Sequence, residues 1–296
     1  MAFTTLITVD QLEALRTQGA RLMVFDCSFD LARPASGLEQ YQAAHIPGAV
    51  HADLDTALSD HPTLGDDGQV HPHPDAMSGG RHPLPSRERF ALWLSSVGFA
   101  NDMQAVVYDR QGANYCGRLW WMLKWAGHDA VAVLDGGWQA WIDAGGHVNT
   151  DDEPAHFQSN FGLRPPLRRL VGASDVAKQL GGTGQTLVDA RAAPRYHGEV
   201  EPLDPVAGHI PGALNRPFAS NLGPDGRFKS ATQLRAEFDD LLQGRDPAGV
   251  VAYCGSGVSA VPNVIAMELA GLPAPALFAG SWSEWCSDRT RPVERG

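Results

Sequence analysis

The chain repeats itself, and no other feature limits its possible folds as strongly. Ala44-His45-Ile46-Pro47-Gly48-Ala49 returns as Gly208-His209-Ile210-Pro211-Gly212-Ala213. Upstream of each copy a strand-like apolar run ends in aspartate, Leu22-Met23-Val24-Phe25-Asp26 and Thr186-Leu187-Val188-Asp189, at the same spacing to within one residue. Further on, Ala105-Val106-Val107-Tyr108-Asp109 matches Val250-Val251-Ala252-Tyr253-Cys254, and Leu134-Asp135-Gly136-Gly137-Trp138 matches Phe278-Ala279-Gly280-Ser281-Trp282. These later matches agree with each other but stand at a shorter interval than the earlier ones. An insertion in the first half accounts for the difference, and His61 to Gly80, rich in Pro, Gly, His and Asp, reads as that long loop. Matched points in the same order predict two copies of one fold.

Each half alternates short apolar runs with helical stretches such as Arg87 to Val97 and Ala260 to Ala270. That alternation predicts an α/β fold, a parallel sheet flanked by helices in each domain, with ligand chemistry at the carboxyl ends of the strands. Residues 1–150 are expected to form the first domain and 170–296 the second. The stretch 151–169, with Pro154, Pro165 and Pro166, reads as the linker.

At 296 residues and 43% hydrophobic content, the chain can bury two cores of ordinary size. A net charge of -11 argues against nucleic acid or an anionic membrane as partner, and an anionic substrate would need a local positive site. Met1 to Asp10 lacks a basic stretch followed by a long apolar run, and no segment approaches the roughly 18 consecutive apolar residues of a membrane helix. The expected location is the cytoplasm. Cys27, Cys116, Cys254 and Cys286 lie far apart without a CxxC pair, so neither a disulfide framework nor a structural zinc site is indicated.

Among these cysteines Cys254 stands apart. In Val250-Val251-Ala252-Tyr253-Cys254-Gly255-Ser256-Gly257-Val258-Ser259 an apolar strand ends at the cysteine, two glycines permit a tight turn, and a helical pattern begins near Ala260. A sulfur so placed faces backbone N–H groups and the positive end of a helix, which favour a thiolate and can hold a further anionic sulfur. The first-half counterpart is Asp109, which cannot act as a sulfur nucleophile. Duplication with loss of one site fits that pattern. Cys27, Cys116 and Cys286 read as core or wall residues.

Cys254-Gly255-Ser256-Gly257-Val258-Ser259 resembles the active loop of the tandem-domain rhodanese family, which includes thiosulfate and 3-mercaptopyruvate sulfurtransferases. The paired His-Ile-Pro-Gly-Ala segments, Gly80-Arg81-His82-Pro83-Leu84-Pro85 and Gly280-Ser281-Trp282-Ser283-Glu284-Trp285 carry the same resemblance over nearly the whole chain. It implies two rhodanese-like domains, an inactive first and an active second, with no cofactor and no metal. Cys254 would form a persulfide inside the amides of Gly255, Ser256, Gly257, Val258 and Ser259. Ser256 would work with an acid and a histidine, which map to Asp55 and His82, with Asp53 as the neighbouring alternative to Asp55. Arg195 matches the arginine that grips the anionic end of the donor; physically, its planar fork suits a carboxylate or thiosulfonate. Arg191 follows its strand closely and reads as structural, and His45 and His209, present in both domains, as shared structural elements.

The implied reaction moves a sulfane sulfur from 3-mercaptopyruvate or thiosulfate to a thiol such as thioredoxin or a low-molecular-weight thiol, or to cyanide. Neutral Gly255 and Ser256 after the cysteine favour 3-mercaptopyruvate. Against it, Asp204 stands where mercaptopyruvate enzymes carry a second arginine. A cysteine phosphatase would need an arginine on the loop, and Ala260 holds that place. A non-catalytic binding or redox-sensing protein is the alternative, and Cys254 argues against it. A metal at His71, His73 and His82 is conceivable from clustering alone, with a solvated loop favoured.

Overall fold

The computed structural model describes residues 2–64, 70–71 and 73–296, with only the backbone described at 64, 70 and 71. The chain divides into two compact units whose boundaries follow packing rather than chain order. The first comprises Met1–Leu58, Ser86–Leu167 and Pro224–Phe228, and the second Ser59–Pro85, Arg168–Gly223 and Lys229–Gly296. The stretch expected as an inserted loop therefore packs with the second unit and brings Arg81 and His82 into it.

The strands in chain order are β1 (Leu6–Ile7), β2 (Leu22–Asp26), β3 (Ala49–His51), β4 (Thr63–Leu64), β5 (Val70–His71), β6 (Gln104–Tyr108), β7 (Val131–Leu134), β8 (Leu170–Val171), β9 (Thr186–Asp189), β10 (Leu214–Asn215), β11 (Val250–Tyr253) and β12 (Ala276–Phe278). The first unit holds a sheet in the order β1-β7-β6-β2-β3, and the second one in the order β10-β9-β11-β12-β8. Every pairing in both sheets is parallel. Taken in chain order within each unit the two sheets have one topology, as the repeated segments predict. β4 and β5 form a separate antiparallel pair.

Central β6 and β11 are buried at every residue, which is why both read as unbroken apolar runs rather than alternating ones. Edge strands are only two or three residues long, leaving little open edge to recruit another chain. The helices that follow β6 and β11, Cys116–Trp125 and Val261–Leu269, lie almost wholly inside; Pro262 in the first turn of the latter removes no needed N–H donor. Among the described residues no helix is long and apolar enough to cross a membrane.

Each unit closes its switch point with the same polar set. In the second, Asp189 at the end of β9 receives three contacts of 2.6 to 3.1 Å from the Arg191 guanidinium, which also donates to the Gly208 carbonyl at 2.7 Å and stacks 4.8 Å from the Trp282 ring centre. In the first, Asp26 pairs with Arg110, which stacks on Trp138, so the arginine comes from a different strand. His45 and His209 play matching parts. Each ring stacks on a tyrosine, Tyr41 or Tyr196, and bonds that tyrosine's own carbonyl, at 2.7 and 2.8 Å.

Asp189 and Arg191 are both almost fully buried. Burial works against the charged guanidinium, but the Asp189 carboxylate outweighs it and holds the arginine's pKa above its ordinary value. Removing the acid leaves that buried cation only a 3.4 Å contact with Glu201 and the Gly208 carbonyl, so Asp189→Ala should destabilise the second unit by about 3 kcal/mol. Urea unfolding checks this; a midpoint unchanged from wild type would remove the pair from the fold's supports.

Candidate functional site

The loop after β11 places Cys254 at the carboxyl end of the sheet, beside the point where strand order reverses. Its backbone is clamped on both sides. Cys254 N donates to Ser281 Oγ at 3.0 Å, and its carbonyl accepts from Trp282 N at 2.9 Å. Ser281 sits at φ 55, a left-handed conformation unusual for a residue with a side chain, and its hydroxyl donates in turn to the Phe278 carbonyl at 2.9 Å. Gly257 has φ +75, and a Cβ there would run into the Ala279 carbonyl, so both conformation and space require glycine.

The equivalent loop of the first unit reveals what such a turn holds. Asp109, at the position of Cys254, accepts on its two carboxylate oxygens from the backbone N–H groups of Gln111, Ala113, Tyr115 and Cys116, at 2.9, 3.1, 2.8 and 2.9 Å. The turn is thus a nest of amides closed around an anion that the chain itself supplies. The matching residues in the second unit are Ser256, Val258, Ala260 and Val261. Of their four amides only that of Val261 is bonded among the described residues, to the Val258 carbonyl at 3.1 Å. Cys254 stands in the place of the built-in carboxylate. The register is confirmed by Trp138 N, which donates to the Asp109 carbonyl at 3.0 Å as Trp282 N does to that of Cys254.

Cys254 is only 1% exposed, more enclosed than a reachable thiol would suggest. The groups at hand are polar: a Cβ built on Gly255 would lie 2.9 Å from Arg81 Nη2 and 3.4 Å from Arg195 Nη1. Ser256 and His82 are brought together, with Oγ to Nδ1 at 2.8 Å and both side chains buried. Val258 is buried and Ser259 half-buried. Asp55 and Asp53 belong to the first unit. There Asp53 caps a turn, its Oδ1 accepting from Asp55 N and from Thr56 N and Oγ1 at 2.8 to 3.0 Å, while the Asp55 side chain is half-buried.

Arg195 reaches this site already paired. Nε and Nη2 donate to Glu201 at 3.2 and 2.7 Å, and Nη2 also lies 3.3 Å from Asp204. Burial pushes the Glu201 carboxyl up, but hydrogen bonds from Arg195 and from the Leu203 and Asp204 amides outweigh it and hold the carboxyl below its usual range. Asp204 also pairs with Arg81, a residue that the sequence reading quoted within a motif but assigned no role. Its position follows from the docking of its segment: Arg81 N donates to Ser283 Oγ at 3.1 Å and Gly79 N to Glu284 Oε2 at 3.2 Å.

The other cysteines are held as neutral thiols. Burial, then the nearby Asp109 carboxylate, pushes Cys27 and Cys116 well above the usual thiol range, and burial pushes Cys286 up to about 11. Among the described residues no group of three or more His, Cys, Asp or Glu could hold a metal ion. Of the histidines considered for one, His73 faces Asp60 at 3.5 Å, and the His71 side chain lies outside the described residues.

Comparison with known proteins agrees with the internal repeat. The rhodanese-like domain family matches residues 8–144 and again 172–288. The chain is 46% identical over 297 residues to a probable 3-mercaptopyruvate sulfurtransferase of Pseudomonas aeruginosa, covering 100% of both chains. It is 35% identical to a thiosulfate sulfurtransferase of Cricetulus griseus, over 90% of this chain and 86% of that one. Among solved structures, a 3-mercaptopyruvate sulfurtransferase from Leishmania major superposes with a TM-score of 0.78 at 29% identity, covering 95% of this chain and 74% of that one. A duplicated sheet, a carboxylate filling one amide nest and a cysteine at the mouth of the other identify the chain as a member of the rhodanese family in its tandem-domain, sulfurtransferase form.

Proposed function

We propose that this protein takes a sulfur atom from 3-mercaptopyruvate, with thiosulfate as the second donor, and passes it as the sulfane sulfur of a Cys254 persulfide to a thiol or cyanide. The carrying observation is the contrast between the two nests: four amides bind a carboxylate in the first unit, and the matching turn of the second presents a sulfur instead. A persulfide places its outer, anionic sulfur one bond beyond Sγ, where a ring of N–H dipoles stabilises it. The domain carrying Asp109 serves as the inactive partner. Acceptors are a thioredoxin or a low-molecular-weight thiol of the cytoplasm.

In the first half-reaction the Cys254 thiolate attacks the donor sulfur; an S–S bond forms as the C–S bond breaks. The electron pair departs into the enolate of pyruvate, which then takes a proton. Thiosulfate reacts by the same attack but releases sulfite, which needs no proton to leave. The Ser256–His82 hydrogen bond is a proton path useful for the first donor and idle for the second, and that favours 3-mercaptopyruvate. Neutral Gly255 and Ser256 after the nucleophile favour it too. Asp55 is proposed as the acid of this relay, and Arg195 as the grip on the donor's anionic end.

Cys254→Ser should abolish transfer from either donor, and donor-treated wild type should gain the mass of one sulfur atom on the Cys254 peptide. Full activity in that variant would end the proposal. Since the other three thiols stay protonated, iodoacetamide at pH 8 should leave Cys27, Cys116 and Cys286 of the folded protein unlabelled, as peptide mapping can show. Ser256→Ala should lower kcat/KM for 3-mercaptopyruvate by about 10²-fold while changing that for thiosulfate far less. An equal loss with both donors would remove the proton path from the mechanism.

A further inference from the structure

The inactive loop is held from within by four bonds to Asp109, and the active loop has no such anchor. Of its four matching amides only that of Val261 is bonded among the described residues. Apart from the clamp on Cys254 itself, what fixes the turn comes from outside it. Asn263, the third residue of the helix Val261–Leu269, is 1% exposed. Its Nδ2 donates to the Arg216 carbonyl at 2.9 Å, and its Oδ1 accepts from Asn221 Nδ2 at 2.6 Å. Asn221, wholly buried, also donates to the Phe218 carbonyl at 3.0 Å and accepts from Arg216 Nε at 2.9 Å. Arg216 closes the set. Its Nη2 donates to Glu237 at 2.8 Å, its guanidinium lies 4.4 Å from the Phe238 ring centre, and its backbone N–H donates to the Asp189 carbonyl at 2.9 Å. Both asparagines thus have oxygen and nitrogen bonded, and a buried network so satisfied permits one arrangement of the segments it joins. The first unit secures its helix at the same point by other means. Arg118, third in Cys116–Trp125 and at the same spacing from Asp109 as Asn263 from Cys254, is wholly buried and donates to the Leu58 carbonyl at 3.3 Å. In each unit the helix is tied to the chain that follows an edge strand, β3 or β10.

We propose that Asn263, with Asn221 and Arg216, is a positioning residue for sulfur transfer: the brace sets the first turn of the helix and so aims the amides of Val258, Ala260 and Val261 at the sulfur that Cys254 gains. The proposal rests on the sulfur-transfer reading and adds to it a part that lies outside the loop. N–H dipoles stabilise charge well only when they already point at the place where it develops, since turning them during the reaction costs part of what they return. In the inactive unit the Asp109 carboxylate keeps the dipoles aligned at all times. In the active unit the anion comes and goes with each turnover, so alignment has to be maintained while the nest is empty. The Asn263 side chain bonds only Arg216 and Asn221 among the described residues, and its effect on the sulfur passes through the helix. It therefore governs how fast the persulfide forms and not how tightly the donor binds.

Single-turnover kinetics on the full chain, without acceptor, test this with wild type, Asn263→Ala, Asn221→Ala and Ile265→Ala. Ile265 is buried in the same helix but belongs to no part of the network, and its truncation serves as the packing control. At saturating 3-mercaptopyruvate, pyruvate release and the gain of one sulfur mass on the Cys254 peptide should slow about 10-fold in both asparagine variants. The donor concentration giving half the maximal rate should stay within about twofold. Ile265→Ala should lower the thermal midpoint at least as much while keeping the rate within about twofold of wild type. Amide hydrogen exchange reads the brace without turnover: Val261 and Val264, whose N–H groups bond the Val258 and Ala260 carbonyls, should exchange about 10-fold faster in the asparagine variants while the amides of β11 do not change. An unchanged rate in both asparagine variants overturns the proposal, as does an equal slowing in Ile265→Ala, which marks a general loss of stability. If Asn263→Ala does not fold, Asn221→Ala, which leaves the helix sequence intact, decides alone. If wild type takes sulfur from neither donor the transfer reading fails, while the exchange still decides the brace, and unchanged exchange in the variants overturns it.

Discussion

A turn that gathers several backbone N–H groups at the end of a buried strand must satisfy them, and the satisfaction has to be anionic or strongly polar. This requirement governs both halves of the molecule. The first unit meets it permanently with the Asp109 carboxylate, and its loop becomes a closed structural element. The second carries a cysteine at the same point, whose sulfur does not reach as far as a carboxylate. A nest built for an anion but lined by a shorter side chain is suited to a group one atom longer, and in the proposed reaction that group is the persulfide.

Much of this was legible because the repeat supplies its own control. A histidine present in both halves could be read as structural, and the stacks of His45 on Tyr41 and His209 on Tyr196 are nearly superposable in kind. The apolar runs that became β6 and β11 announced strands of a parallel sheet, and the glycines around Ser256 announced the turn. Cys254 stood out because it ends an apolar strand before a Gly-Ser-Gly turn, and its acidic counterpart served as the control.

The unread part of the site depends on a docking that no local pattern encodes. His61 to Gly80 read as an insertion because it interrupts the repeat, yet Ser59–Pro85 packs with the second unit through Gly79, Arg81 and the residues around Ser283. Asp204 could be read only against the arginine it replaces, because its partner Arg81 lies more than a hundred residues upstream. Ser281 was likewise silent. Its left-handed backbone, shared with Gly137 at the matching position of the first unit, turns its hydroxyl onto the Cys254 amide, a role that a serine after glycine does not advertise.

The charge balance around the cysteine loop follows from the same economy. A protein with a net charge of -11 repels small anions at long range, so capture depends on what meets the donor at contact. In the proposed reaction an unopposed guanidinium would draw the donor strongly but would hold the departing carboxylate just as strongly, since pyruvate keeps the charged end that the donor arrived with. Glu201 takes up Nε and Nη2 of Arg195, and Asp204 shares that Nη2 and pairs with Arg81, so the cluster is neutral overall. In the proposed reaction a cluster so balanced would recognise the shape of a carboxylate without trapping its charge, and would leave the amide nest beside it as the preferred place for the negative charge that stays behind on sulfur.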